Sequence, residues 1–503
     1  MFIGLDAADK DLLNRMAEEG KAPNWKRLLD QGLSGTTNGP AGFYVGAIWP
    51  TFYTGVNPAR HGHHCWEQIV PGSYEVQRYL AGANATHEAF WDVLSRAGIR
   101  SAIVDVPLSG PAHHLHGLQI IEWGCHDPEL GLVTVPPELA VELTENHGLH
   151  PIQGNCNQHG RTSVEFAAFR DALVDGAAAK TNLNLSLLAR DRVDLFLTIY
   201  SESHCAGHQC WHLHDFGHER HDPSVAEITG DIVSDVYSAL DHELGRMIEA
   251  TGPGTTLIVW ASHGMGAHND GTFMLDEILR RLEIANLSKG RHSLLDLVFP
   301  RRSNARRHAR GKTLTIPHRR FYPHPNNREE AGIRINLAGR EPNGLVQPGR
   351  DFDALCENLA ADMLDLVDEK SGQSIVRDVL RTRDHYEGEY LSQLPDLIIQ
   401  WTNDFPVRSA CSRKAGVISG TCPSCRTGGH RPEGQFIATG PGIAGGRLTE
   451  PVNVMDFAPT IAALLGVKLD GVDGRVVSRI APHAQSVTTD PSLQSRNNFL
   501  PGR

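Results

Sequence analysis

Three histidine-bearing segments carry the strongest chemical signal. Residues 201–214 read SESHCAGHQCWHLH, residues 261–266 read ASHGMG and residues 428–434 read GGHRPEG. His204 and His208 stand four apart, which puts both imidazoles on one face of a helix. Imidazoles at that spacing grip one transition-metal ion. His263 follows the apolar run TTLIVWA and His430 precedes QFIATG, both with the content of buried strands. Ligands of α/β sheets collect at the carboxyl ends of strands. The pattern predicts a metal site assembled from distant segments. With 27 histidines in the chain, spacing and setting carry this inference, because a lone histidine says little.

The elements that must position these residues follow from periodicity. FIGL at the start reads as a short strand ending in Asp6, and residues 9–32 continue with helical period to a Gly stop. Almost nothing precedes this strand, so either it is short or the true start lies upstream. SAIVDVPL (101–108), VDLFLTIY (193–200), TTLIVWA (255–261), DLIIQW (396–401) and QFIATG (435–440) read as further strands, separated by helical stretches such as 224–250. Such alternation predicts an α/β fold, with a mostly parallel central sheet and helices on both faces. Residues 128–190 and 285–390 break the rhythm and read as inserted cap segments. The core is then expected from 1–127, 191–284 and 391–480, with a tail at 481–503. There is no internal repeat.

Composition bounds the function. The chain has 503 residues, 40% hydrophobic and 21% charged, as expected of a soluble globular protein. A net charge of −12 argues against general nucleic-acid affinity. No run of about 18 apolar residues suggests a membrane span, and no secretory signal is visible. Nine scattered cysteines fit reduced thiols in a cytoplasmic protein. CPSC (422–425) has the spacing of half a zinc ribbon, and with Cys411 and a fourth ligand would close a structural site. No second CxxC appears, so free thiols are the favoured reading. Residues 301–320 hold eight Lys/Arg and no acid; they read as a solvated loop, or as a patch that attracts an anion. The oligomeric state is not legible.

GLDAAD at the start, WPTFYTGVNPARHG (49–62), YSALDHELGRMIEA (237–250), IVWASHGMG (258–266), IRINLAGREPNG (333–344), GGHRPEGQFIATGPGI (428–443) and VNVMDFAPTIAALLG (452–466) together resemble the alkaline phosphatase superfamily, in particular its type I phosphodiesterase/nucleotide pyrophosphatase family. The resemblance implies an alkaline-phosphatase-like core and two zinc-like ions about 4 Å apart that clamp the attacking and leaving oxygens. It implies a Thr, Ser or Cys nucleophile at a helix start. One ion is held by an Asp and two His, the other by two Asp, one His and the nucleophile oxygen. Carried onto this chain, Asp6, His208, His263 and His430 match. Val45 falls on the nucleophile position, His204 replaces one family Asp and Ser262 another. The first set becomes His204, His208 and His430, the donor set of a catalytic zinc with an open position. The second keeps Asp6 and His263, with Glu202, Glu122 or Asp127 as candidates to complete it. Thr51 and Thr54 are hydroxyls near the lost nucleophile, best suited to bonding local backbone. Ser262 reads as a spacer or hydrogen-bond donor before a ligand or nucleophile. His61 belongs to the PxxHG turn and is followed by His63 and His64. Tyr44, Asn326 and Asn327 are candidate substrate contacts.

The implied function is metal-dependent hydrolysis of a small anionic phosphate ester or diester, with zinc as the expected ion. Without a side-chain nucleophile, metal-bound hydroxide would attack directly. Two alternatives stay open: a three-histidine metalloenzyme with non-phosphoryl chemistry, and a non-catalytic relative that binds a ligand.

Overall fold

The computed structural model describes residues 1–80, 82, 86–152, 157–287 and 315–483. Its organising strand is Phe2–Leu5, buried throughout and paired in parallel with both Leu195–Tyr200 and Leu257–Ala261. The large sheet runs in the order Gly446–Arg447, Leu33–Asn38, Glu433–Thr439, Leu257–Ala261, Phe2–Leu5, Leu195–Tyr200, Ser101–Val104, Gly117–Ile121, Val133–Val135. Pairing is parallel from Leu257–Ala261 through Gly117–Ile121, and Glu433–Thr439 and Val133–Val135 pair antiparallel with their neighbours. The strand–helix rhythm of the sequence predicts this architecture.

Side chains alternate across the sheet. Ile3 and Leu5 join a core that includes residues of the helices Lys10–Glu18, Ser163–Arg190, Glu202–His214 and Ile232–Glu249. Phe2 faces the opposite core, with Phe52, Trp260 and Phe457 around it. Residues 128–190, which break the rhythm in sequence, contribute the edge strand Val133–Val135 and the 28-residue helix Ser163–Arg190.

A second, four-stranded antiparallel sheet runs Phe321–His324, Glu330–Ile335, Leu397–Trp401, Val376–Arg381, and shares its own core with the helices Leu275–Leu287 and Arg350–Leu364. DLIIQW therefore belongs to this smaller sheet and not to the main one: an apolar run specifies burial, not which sheet buries it. Most of the basic stretch, 301–314, lies outside the described residues. At its end, Arg319 is buried and pairs with Asp276 at 2.6 Å, and Arg320 with Glu283 at 3.1 Å. Among the described residues no helix is long and apolar enough to cross a membrane.

One buried ion pair ties the sheet to the loops that carry chemistry. Lys180, midway along Ser163–Arg190, lies 2.9 Å from Asp105, and both side chains are fully buried. Its ammonium also donates to the carbonyls of Gly124 and Ile199, while Asp105 accepts from the amides of Trp123 and Gly124. Burial opposes a charge on Lys180, but Asp105 and Glu202 outweigh it and raise its pKa. The pair thus fixes the loop after Gly117–Ile121 and the end of Leu195–Tyr200. Replacing one partner strands a buried charge, which costs about 3–5 kcal/mol. Lys180→Met is expected to lower unfolding free energy by about that much in urea titrations, and adding Asp105→Asn to recover part of it. A loss below about 1 kcal/mol would show that the charge of Asp105 is compensated elsewhere.

Candidate metal centre

The candidate residues gather at the carboxyl ends of adjacent parallel strands. Asp6 follows Leu5 directly, and its amide donates to Tyr200 O at 2.8 Å. Ser262 and His263 follow Ala261, and the helix Glu202–His214 starts two residues beyond Tyr200. His430 lies on Gly428–Arg431, which pairs antiparallel with Gly264–Ala267 so that His430 stands opposite Met265. Adjacent strand ends converge because their hydrogen bonds hold them about 4.8 Å apart.

Two groups of converging ligand atoms result. His204, His208 and His430, all buried, each bring one nitrogen within 4.8 Å of the others; Asp6, His126 and His204 form a second such group. The Nε2 atoms of His208 and His430 are 3.0 Å apart. The rings of His126 and His204 stack at 3.5 Å between centroids, and His263 lies 4.4 Å from His430 on the same measure. His208 Nδ1 bonds the Gly428 carbonyl at 2.7 Å. A carbonyl only accepts, so Nδ1 carries the proton and Nε2 of the neutral ring presents its lone pair.

Asp6 is held from three sides. Its Oδ1 accepts from Trp49 Nε1 and Ser262 Oγ, each at 3.2 Å, and its Oδ2 is 2.9 Å from His126 Nε2. Ser262 Oγ also lies 2.9 Å from His263 Nδ1, so it links Asp6 to His263.

Burial sets the protonation of the site. It pushes the pKa values of His204, His208 and His430 well below the ordinary range, with neighbouring imidazoles and Arg426 adding to the effect. Burial lowers His263 too, against the pull of Asp6. Burial would raise Asp6, but the hydrogen bond and charge of His126 outweigh it and the net shift is downward. Burial would likewise lower His126, but Asp127 and Asp6 carry it up to about 10. His263 Nε2 and His430 Nδ1 are buried without a hydrogen-bond partner. Neutral imidazoles, one ionised carboxylate and the buried nitrogens of His263 and His430 without hydrogen-bond partners fit a divalent transition-metal ion.

Other sequence candidates are engaged elsewhere. Glu202 is buried 3.2 Å from His150 and feels Lys180, so it anchors the helix start from beneath and does not complete the second group. Glu122 is not a ligand either: its carboxylate accepts the amides of Glu129, Leu130 and Gly131. Asp127 pairs with Arg426 at 3.2 Å and lies 3.7 Å from His126. Val45 sits in the turn before the helix Ile48–Thr54. Thr51 Oγ1 is bound to His61 Nε2 at 3.0 Å and Thr54 Oγ1 to Pro50 O at 2.6 Å, which suits neither as nucleophile. His61 also accepts from the amide of His63, while His63 and His64 are buried. Tyr44 OH reaches the His430 carbonyl at 3.4 Å, Asn326 donates to Gly42 O at 3.1 Å, and Asn327 donates to Asn326. These three brace the turn beside the histidines. Cys411, Cys422 and Cys425 join no metal-holding group among the described residues, and Cys422 lies 3.7 Å from Asp270. The sequence reading missed His126. It lies between Glu122 and Asp127, and the signal for it is its place five residues past the strand Gly117–Ile121. Arg426, 3.0 Å from His208 Nε2, was also missed.

The fold is shared with solved structures. The alkaline phosphatase PafA superposes with a TM-score of 0.50 at 15% identity, covering 95% of this chain and 98% of that one. Human ectonucleotide pyrophosphatase/phosphodiesterase 5 gives 0.49 at 15% identity, with 94% and 96% covered. Phosphonoacetate hydrolase from Sinorhizobium meliloti 1021 gives 0.47 at 14%, with 91% and 93% covered. No curated protein matches the chain in sequence. The sequence profile of one family, however, spans residues 1–414, and on that match the chain belongs to the type I phosphodiesterase/nucleotide pyrophosphatase family.

Proposed function

We propose that this chain is a zinc-dependent hydrolase of small anionic phosphate esters or diesters in which water, not a side chain, attacks phosphorus. The observation that carries this reading is the convergence of three buried, neutral imidazoles, His204, His208 and His430, beside a turn where Val45 offers no nucleophile. Three imidazoles suit zinc. When bound there, such an ion supplies Lewis acidity and brings the ionisation of water toward neutral pH. The chain's own residues do the rest. The Gly428 carbonyl aims His208 Nε2 into the site, and Ser262 orients Asp6 and His263 toward a second position that His126 also lines. Trp49 ties Asp6 by a hydrogen bond to the helix that follows Val45.

Two measurements test this. Elemental analysis of protein purified without added metal is expected to give about one to two zinc ions per chain, and His208→Ala to lose most of the first. A metal-free wild type, or unchanged content in the variant, overturns the reading. Single displacement by water inverts phosphorus, whereas attack by a side chain followed by hydrolysis retains it. Hydrolysis of a chiral thiophosphate diester is therefore expected to invert. Retention would sink direct attack and send the search to a hydroxyl outside the Val45 position.

A further inference from the structure

Arg426 occupies a place that neither the ion ligands nor the fold explains. Its Nη1 lies 3.0 Å from His208 Nε2, the nitrogen whose lone pair faces the site. Its Nη2 donates to Asp127 at 3.2 Å and its Nε to Asn157 at 2.9 Å. The side chain is 18% exposed, so a ligand entering the site meets it. The neighbouring Arg431 is spent instead on the carbonyls of Ala267 and His430, at 2.7 and 2.9 Å. His430 Nε2 stands at the same 3.0 Å from that nitrogen, but a metal ion on its lone pair excludes a hydrogen bond from either neighbour. A guanidinium N–H and a metal ion therefore compete for His208 Nε2, and the guanidinium's charge adds to the competition.

We propose that Arg426 couples metal binding to the binding of a phosphoryl group. The inference rests on the metal-hydrolase reading above. An ion on His208 releases one edge of the guanidinium, while Asp127 and Asn157 keep the group at the rim of the site. The freed fork then binds two non-bridging oxygens of a phosphoryl group beside the ion, a geometry guanidinium matches and ammonium does not. Because coupling free energies are reciprocal, phosphate in turn tightens the ion.

The two effects of removing the guanidinium have opposite signs, which a merely structural role does not produce. In full-length Arg426→Gln, zinc affinity, read by competition with a chelating dye, is expected to rise several-fold. Affinity of the zinc-loaded protein for inorganic orthophosphate, read by calorimetry, is expected to fall about tenfold or more, the size of a charge-assisted hydrogen bond. Phosphate should no longer tighten zinc. Arg426→Lys keeps the charge without the fork, so it should recover only part of the phosphate binding. Weakening of both ligands together, or no change in either, overturns the proposal. A wild type that takes up zinc but binds phosphate independently of residue 426 overturns this inference alone. A wild type that takes up no divalent ion overturns the hydrolase reading and this inference with it.

Discussion

The site depends on how closely two segments of backbone pass each other. A Cβ on Gly428 would lie 2.2 Å from the Gly207 carbonyl oxygen, and a Cβ on Gly207 would lie 2.7 Å from Met265 Cγ. Only hydrogen fits at Gly428, which faces backbone, whereas a Cβ at Gly207 would require the Met265 side chain to shift. That approach lets the Thr427 amide donate to His208 O and the Gly428 carbonyl accept from His208 Nδ1, each at 2.7 Å. The same contact brings the rings of His208 and His430 to 4.5 Å, although 222 residues separate them. The helix that carries His204 and His208 and the strand that carries His430 are thus locked by backbone, and the imidazoles inherit that precision. Donors placed by main-chain hydrogen bonds need little reorganisation when a ligand arrives.

Charge is distributed unlike the arrangement implied by family resemblance. His204 and Ser262 stand where carboxylates are expected, leaving Asp6 as the carboxylate shared with His126 and Ser262. Of the acids nearby, Asp127 is turned toward Arg426 and His126, and Glu329 accepts from the His430 amide at 3.1 Å. Fewer anionic donors leave more of an ion's positive charge uncompensated, so it draws harder on a phosphoryl oxygen or a water. Substitutions of this kind would weaken the hold on an ion and strengthen the acidity of one that binds. A chain with Val45 in place of a hydroxyl has use for that, because water is a poorer nucleophile than an activated alkoxide.

What could be read from the sequence follows this division between local and non-local constraint. Asp6, His208, His263 and His430 were legible because each abuts a strong apolar strand or sits at helical spacing. His126 was not, because its loop is shaped from below: Asp105 accepts the Trp123 and Gly124 amides while Lys180 ties both to the neighbouring strand. No periodicity records such a tether. Glu202 misled for a related reason. Two residues before His204 it looks like a spare ligand, but burial against His150 and Lys180 turns it beneath the helix start. DLIIQW misled because apolar content marks a buried strand and says nothing about its partners.

Of the three departures from the pattern that the resemblance implies, Val45 and Ser262 fall on the side of Asp6 and His263, whereas His204 exchanges one donor for another beside His208 and His430. Val45 and Ser262 remove donors from the position that Asp6 and His263 share, while His204, His208 and His430 stay complete. Burying an imidazole nitrogen without a partner costs about 1–3 kcal/mol. His263 Nε2 and His430 Nδ1 both carry that cost, and the depressed basicity of both rings shows that protonation does not relieve it. A packed core would remove such a penalty with an apolar side chain of similar size at either position. Donors held buried, neutral and convergent carry a cost to stability that a ligand would offset, and a metal cation suits imidazole lone pairs.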